Sequence, residues 1–223
     1  MSAMPRWAVL LVVAIVAACG GHPPPPARGV MESDLGEWKF RRFQPLLDVE
    51  VWVKDNKAEA YTATYVNDRA EREHPTRLGD QDLVNVFVTR YAKPDGVLRE
   101  MVRFVRRLAQ ESGYQVDEAK IGGVRVVTIA GHDEWWAMWA ASDAVVKVGG
   151  RGRSDAPSDL VRSYGDRYPS VIAGGVLEGP LPAGPEEAPR PDAPYDPDNP
   201  TPEWKGYDPS KAKTPPHGSK PPK

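Results

Sequence analysis

The strongest constraint on the fold is a run of short apolar segments joined by very short turns. Tyr114–Ile121, Val124–Ala130, Trp135–Ala141 and Ala144–Gly149 are separated by Gly122-Gly123, by Gly131-His132-Asp133-Glu134 and by Ser142-Asp143. Connections this tight join antiparallel neighbours, because parallel strands need a crossover of a dozen residues or more. The second half of the chain is therefore expected to form a four-stranded meander.

Upstream, Val49, Val51 and Val53 alternate with Glu50, Trp52 and Lys54, the period of a half-buried strand. Asp55-Asn56-Lys57 reads as a turn into a returning strand over Tyr61–Val66, and Glu37–Phe43 as an earlier strand. Leu83–Tyr91 is more continuously apolar and fits a central strand. Asp95 is the expected cap of a helix over 96–112, with Gly113 beyond its end and Val97, Met101, Val105 and Leu108 on its buried stripe. Pro157 suits the first turn of a second helix marked by Leu160, Val161, Tyr164 and Tyr168. The order β-β-β-β-α-β-β-β-β-α predicts one α+β domain: a mainly antiparallel sheet with both helices packed on one face.

The flanks differ in composition. The chain has 24 prolines in 223 residues, and they concentrate at 23–26 and after 179. The expected organisation is a leader over 1–18, a Gly/Pro tether over 19–29 that lifts the domain off its anchor, a globular domain over 30–178, and a Pro-rich disordered tail over 179–223. Pro191, Pro194, Pro197 and Pro200 recur every third residue, the period of polyproline II. Tyr195, Trp204 and Tyr207 are the aromatic anchors if that tail is a spacer or docking segment.

The leader itself has Arg6 followed by an uncharged apolar run from Trp7 to Ala18. A run of that length is shorter than the ~20 residues that a membrane-spanning helix requires, and it suits the h-region of a secretory signal. It ends in Val16-Ala17-Ala18-Cys19-Gly20, which resembles the lipobox of bacterial lipoproteins. The resemblance covers residues 1–20 only. It implies cleavage before Cys19, a diacylglycerol thioether on its sulfur and acylation of the new amino group, and two or more acyl chains hold a protein stably on a membrane. The absence of Asp after Cys19 further implies the outer membrane, on its periplasmic side, with the cytoplasmic membrane as the alternative. Cys19 is the only cysteine, so the chain holds no internal disulfide and no multi-cysteine metal site.

A net charge of -2 gives no bulk electrostatic case for nucleic acid. Arg99, Arg103, Arg106 and Arg107 recur at helical spacing and form a candidate face for anionic headgroups or an acidic partner, against the reading of a plain solvated face. Gly149-Gly150-Arg151-Gly152-Arg153-Ser154, placed between a strand and a helix, is a candidate anion loop against the reading of a surface loop. It has neither a P-loop nor a dinucleotide fingerprint. Trp135 and Trp139 fall on one face of their strand and Trp136 on the other, so at least one face of this tryptophan strand is core and the other is a candidate aromatic platform.

His132, Asp133 and Glu134 read as a polar turn, and Asn67–Asp82 is a long polar connection that includes His74. The sequence contains no GxSxG, no HExxH and no cofactor motif. The leading expectation is a lipid-anchored envelope lipoprotein with a non-catalytic binding or accessory domain for an envelope protein or glycan. The alternatives are a carrier of a small apolar or lipid ligand, and an envelope hydrolase using the His74 loop and the His132 turn.

Overall fold

The structure, a computed structural model, describes residues 21–184. Cys19 and the aromatic residues of the tail lie outside the described residues. Seven strands form one sheet: β1 (Trp38–Leu46), β2 (Ala58–Asn67), β3 (Leu83–Tyr91), β4 (Tyr114–Ile121), β5 (Val124–Gly131), β6 (Glu134–Ala140) and β7 (Ala144–Arg151). Among the described residues three α-helices accompany them, α1 (Asp68–Glu73), α2 (Val97–Leu108) and α3 (Ser158–Arg167). The fold is α+β, as the sequence predicts. The spatial order is β1-β2-β3-β7-β6-β5-β4, with every neighbouring pair antiparallel. Two meanders are thus joined side by side through β3 and β7.

The meander β4–β7 follows the expected segments closely. Its turns have the chemistry of tight hairpins: Gly122 and Gly123 have φ of 56° and 89°, and His132 and Asp133 have 51° and 62°. Positive φ at both central residues is the type I′ requirement, which matches strand twist. β7 runs two residues further than expected, through Gly150 and Arg151. Gly149 is required there by close approach, because a Cβ would lie 2.0 Å from the Trp135 carbonyl oxygen.

The first half corrects the sequence reading. Val49–Val53 is not a strand. It belongs to an irregular connection between β1 and β2, and its alternation arises because Val51 and Val53 are buried while Trp52 points out. The Tyr91 hydroxyl donates to the Val51 carbonyl at 2.6 Å and pins this connection down. The element order is therefore β-β-α-β-α-β-β-β-β-α. The additional helix, α1, is polar and short; Asn67 caps it, its side chain accepting from the Arg69 and Ala70 amides. Helix α2 starts after Gly96 (φ 81°), with no side-chain cap, so Asp95 does not act as expected.

Strand register defines two faces. Thr62, Phe87, Lys147, Met138 and Val127 form one row, and Ala63, Val86, Val148, Ala137 and Thr128 the row beside it on the opposite face. Helix α3 covers the second face: the Tyr164 hydroxyl is 2.9 Å from that of Tyr65, and Trp139 Nε1 donates to the Tyr168 carbonyl at 2.8 Å. Helix α2 crosses from β3 to the parallel strand β4. The Tyr91 amide donates to Asp143, so its N–H points toward β7. With L-residue geometry, β7 then lies to the right of an upward β3 seen from the Tyr91 side. A right-handed crossover, which such connections almost always adopt, puts α2 on that same side. The two helices thus lie on opposite faces, not on one. This explains why β6 is buried from Trp136 to Ala140 without alternation.

No helix among the described residues is long and apolar enough to cross a membrane.

Candidate functional site

The α3 face is closed by a tyrosine network. Residues 29–31 lie across it as a strap: Tyr168 donates to the Gly29 carbonyl at 2.6 Å, Tyr65 to the Met31 carbonyl at 2.5 Å, and the Met31 amide donates to Tyr164 at 3.0 Å. Burial pushes the phenols of Tyr65 and Tyr168 up to about 12, and that of Tyr164 well above its ordinary value. All three remain neutral donors, and Trp139 is fully buried among the core residues. This face leaves its polar groups satisfied.

The α2 face is built differently. Toward β4 the helix covers the sheet, and Val127 and Ile129 are buried there. Over β2, β3 and β7 the cover is the β1–β2 connection, and it leaves a cleft of about 270 Å³. Ala60, Phe87, Met138 and Val145 form the cleft floor. Leu46, Leu47 and Val51 form the wall, with Glu50 and Lys147 at the rim.

Lys147 is the central polar group of this site. Its ammonium lies 4.3 Å from the ring centroid of Trp136 and 5.1 Å from that of Phe87, and the two rings meet edge-to-face at 5.5 Å. It also pairs with Glu50 of the wall. The Lys147 side chain is only 12% exposed while Glu50 is 48% exposed. A cation largely removed from water gains most from ring faces and from a carboxylate partner. Three buried polar atoms on this face have no hydrogen-bond partner among the described residues: Arg99 Nε on α2, and Thr62 Oγ1 and Trp136 Nε1 on the sheet. Thr62 stands beside Phe87 in register, and Trp136 packs on it.

The arginines expected to face outward are largely engaged with their own chain. Arg106 donates to the Val176 and Gly179 carbonyls, Arg99 to the Gly184 carbonyl at 3.0 Å, and Arg103 pairs with Glu100 at 3.1 Å. Arg99 and Arg106 thereby strap residues 176–184 along α2. Arg153 donates to the Gln81 carbonyl and lies 5.3 Å over the Trp38 ring, while Arg151 is exposed at the end of β7. The glycines read as an anion loop are mostly strand, so no loop with free amides exists at 149–151.

The tryptophan strand splits as its alternation requires. Trp139 is core, Trp135 is half-buried on the same face, and Trp136 backs the cleft. None forms an exposed platform; among the described residues the exposed tryptophan is Trp52. His74 ends α1 and His132 sits in the β5–β6 turn against Tyr114. Their strands, β2 and β5, are four places apart, about 19 Å at ordinary strand spacing. Among the described residues no three His, Cys, Asp or Glu side chains converge as metal ligands. The residues that sequence reasoning missed are Leu47, Glu50, Phe87, Met138 and Lys147. Only the adjacent apolar pair Leu46-Leu47 before Asp48 hinted at them.

No protein-family model, no curated protein and no solved structure matches this chain.

Proposed function

We propose that this chain is a lipid-anchored lipoprotein of the bacterial envelope whose α+β domain is a non-catalytic binding module, engaging an apolar group of an envelope partner through the cleft beneath the β1–β2 connection. The observation that carries the binding role is the cleft itself. It combines an aliphatic and aromatic floor with one cation–carboxylate pair at the rim, the usual composition of a recognition pocket. Its volume suits one or two side chains of a protein partner, or a small apolar ligand, better than an extended glycan. Lys147 is placed to meet an acidic group on whatever enters, in exchange for Glu50. The anchor rests on Cys19 and the apolar run before it.

Each half of the reading has its own test. Cys19→Ser is expected to abolish acyl labelling and release the protein from the membrane fraction; retained label and membrane location contradict the anchor. Ala60→Leu places extra carbon on the cleft floor. It is expected to abolish co-purification of the envelope partner while leaving the thermal midpoint within a few degrees of the parent.

A further inference from the structure

The point at which the chain docks onto the domain limits how far the domain can stand from its lipid. Arg167 Nη1 donates to the Pro24 carbonyl at 3.0 Å, Arg90 Nη1 reaches the Ala27 carbonyl at 3.4 Å, and Gly29 closes a turn on Pro26 at 2.9 Å. The segment read as a tether is therefore held on the domain from Pro24 onward. Only five peptide units separate Pro24 from Cys19. Fully extended, they span at most about 18 Å.

That docking point is at one particular end of the sheet. Arg167 is the last residue of α3, and the chain then crosses the end of β6, where the Val171 amide donates to Ala140 at 2.9 Å. This is the end at which β1, β3 and β6 finish and β2 and β7 begin. The β1–β2 connection is at the same end. Four large apolar residues are markedly exposed among the described residues, and three of them belong here: Leu47 (102%), Trp52 (55%) and Val171 (44%). Exposed apolar side chains gathered at one end are unusual for a soluble surface, and tryptophan is enriched where water meets lipid.

We infer that this end of the sheet rests on the lipid surface, with Leu47, Trp52 and Val171 in the headgroup layer and the β2–β3 end pointing away. The inference rests on the lipid anchor at Cys19 and adds an orientation to it. A tether of five peptide units holds the domain at the surface, and the three apolar side chains select which end faces it. The occupant is lipid because the only reach available to this end leads there.

The test uses the lipidated full chain in vesicles of phosphatidylethanolamine and phosphatidylglycerol that contain a spin-labelled lipid. Leu47→Cys and, at the far end, Thr76→Cys carry a polarity-sensitive dye; both positions are exposed. In an acylated protein the Cys19 sulfur is a thioether, so the parent chain takes up no dye and the introduced cysteine is the sole target. The expected result is blue-shifted emission and several-fold stronger quenching at position 47 than at 76. Equal quenching, or stronger quenching at 76, in a protein whose parent resists the dye overturns the orientation alone. Dye uptake by the parent, with no acyl label, overturns the anchor and the orientation with it.

Discussion

The two faces of one sheet solve the same burial problem in opposite ways. On the α3 face, Tyr65, Tyr164 and Tyr168 each find a partner for the hydroxyl, and the strap over residues 29–31 closes the layer. On the α2 face, an irregular connection stands in for a helix over β2, β3 and β7. It leaves a cleft, a mostly buried ammonium and two unpartnered polar atoms on the sheet. Local imperfection of this kind costs stability, and it collects where surfaces are built to receive something. The first face closes completely, and the second keeps the opening on which the proposed binding role rests.

That contrast breaks most visibly at the tryptophans of β6. Trp139→Ala empties a fully closed layer and orphans the Tyr168 carbonyl, so it is expected to cost about 4 kcal/mol. In a domain of this size that lowers the midpoint by roughly 10 °C in a thermal melt. Trp136→Ala, beside a cleft into which neighbours can relax, is expected to cost about 2 kcal/mol. Equal losses would mean the two faces are packed alike.

The next effect is on alkaline stability. Tyr65 and Tyr168 have folded pKa values raised from 10.0 to about 12, chiefly by burial. The unfolded chain ionises first, so stability is fully present below pH 10 and is lost as pH rises toward 12. Each two-unit shift is worth about 3 kcal/mol across that window. Denaturant melts from pH 9 to 12 are expected to show a steep fall that is shallower in Tyr65→Phe. A flat profile would mean the strap leaves these phenols in water.

The smallest effect has the opposite sign. Thr62→Val removes a buried hydroxyl that has no partner, and a gain of up to about 1 kcal/mol is expected. A loss of similar size would show that Thr62 Oγ1 has a partner in solution.

How much was legible in the sequence divides along the same line. The meander and both amphipathic helices were readable because short turns and helical spacing are local signals. The Val49–Val53 segment misled because alternation reports which side chains are buried, and a loop pinned by Tyr91 onto a sheet alternates like a strand. Helix α1 was hidden by its polarity, although Asn67 ahead of Asp68 is a capping signal. The Gly149-Gly150 pair looked like a loop because close approach of the Trp135 backbone, invisible locally, is what demands glycine. The cleft was the least legible feature. Its parts come from β1, β2, β3, β6, β7 and a connection, and only strand order brings Lys147 over Phe87 and Trp136.

The most direct measurement is titration with an apolar anionic probe, an anilinonaphthalene sulfonate, followed by its own fluorescence. One saturable site per chain is expected, weakened by about tenfold or more in Ala60→Leu and in Lys147→Met, and unchanged in Tyr65→Phe on the opposite face. Saturable binding that survives both cleft substitutions, or that is lost in Tyr65→Phe, would contradict it.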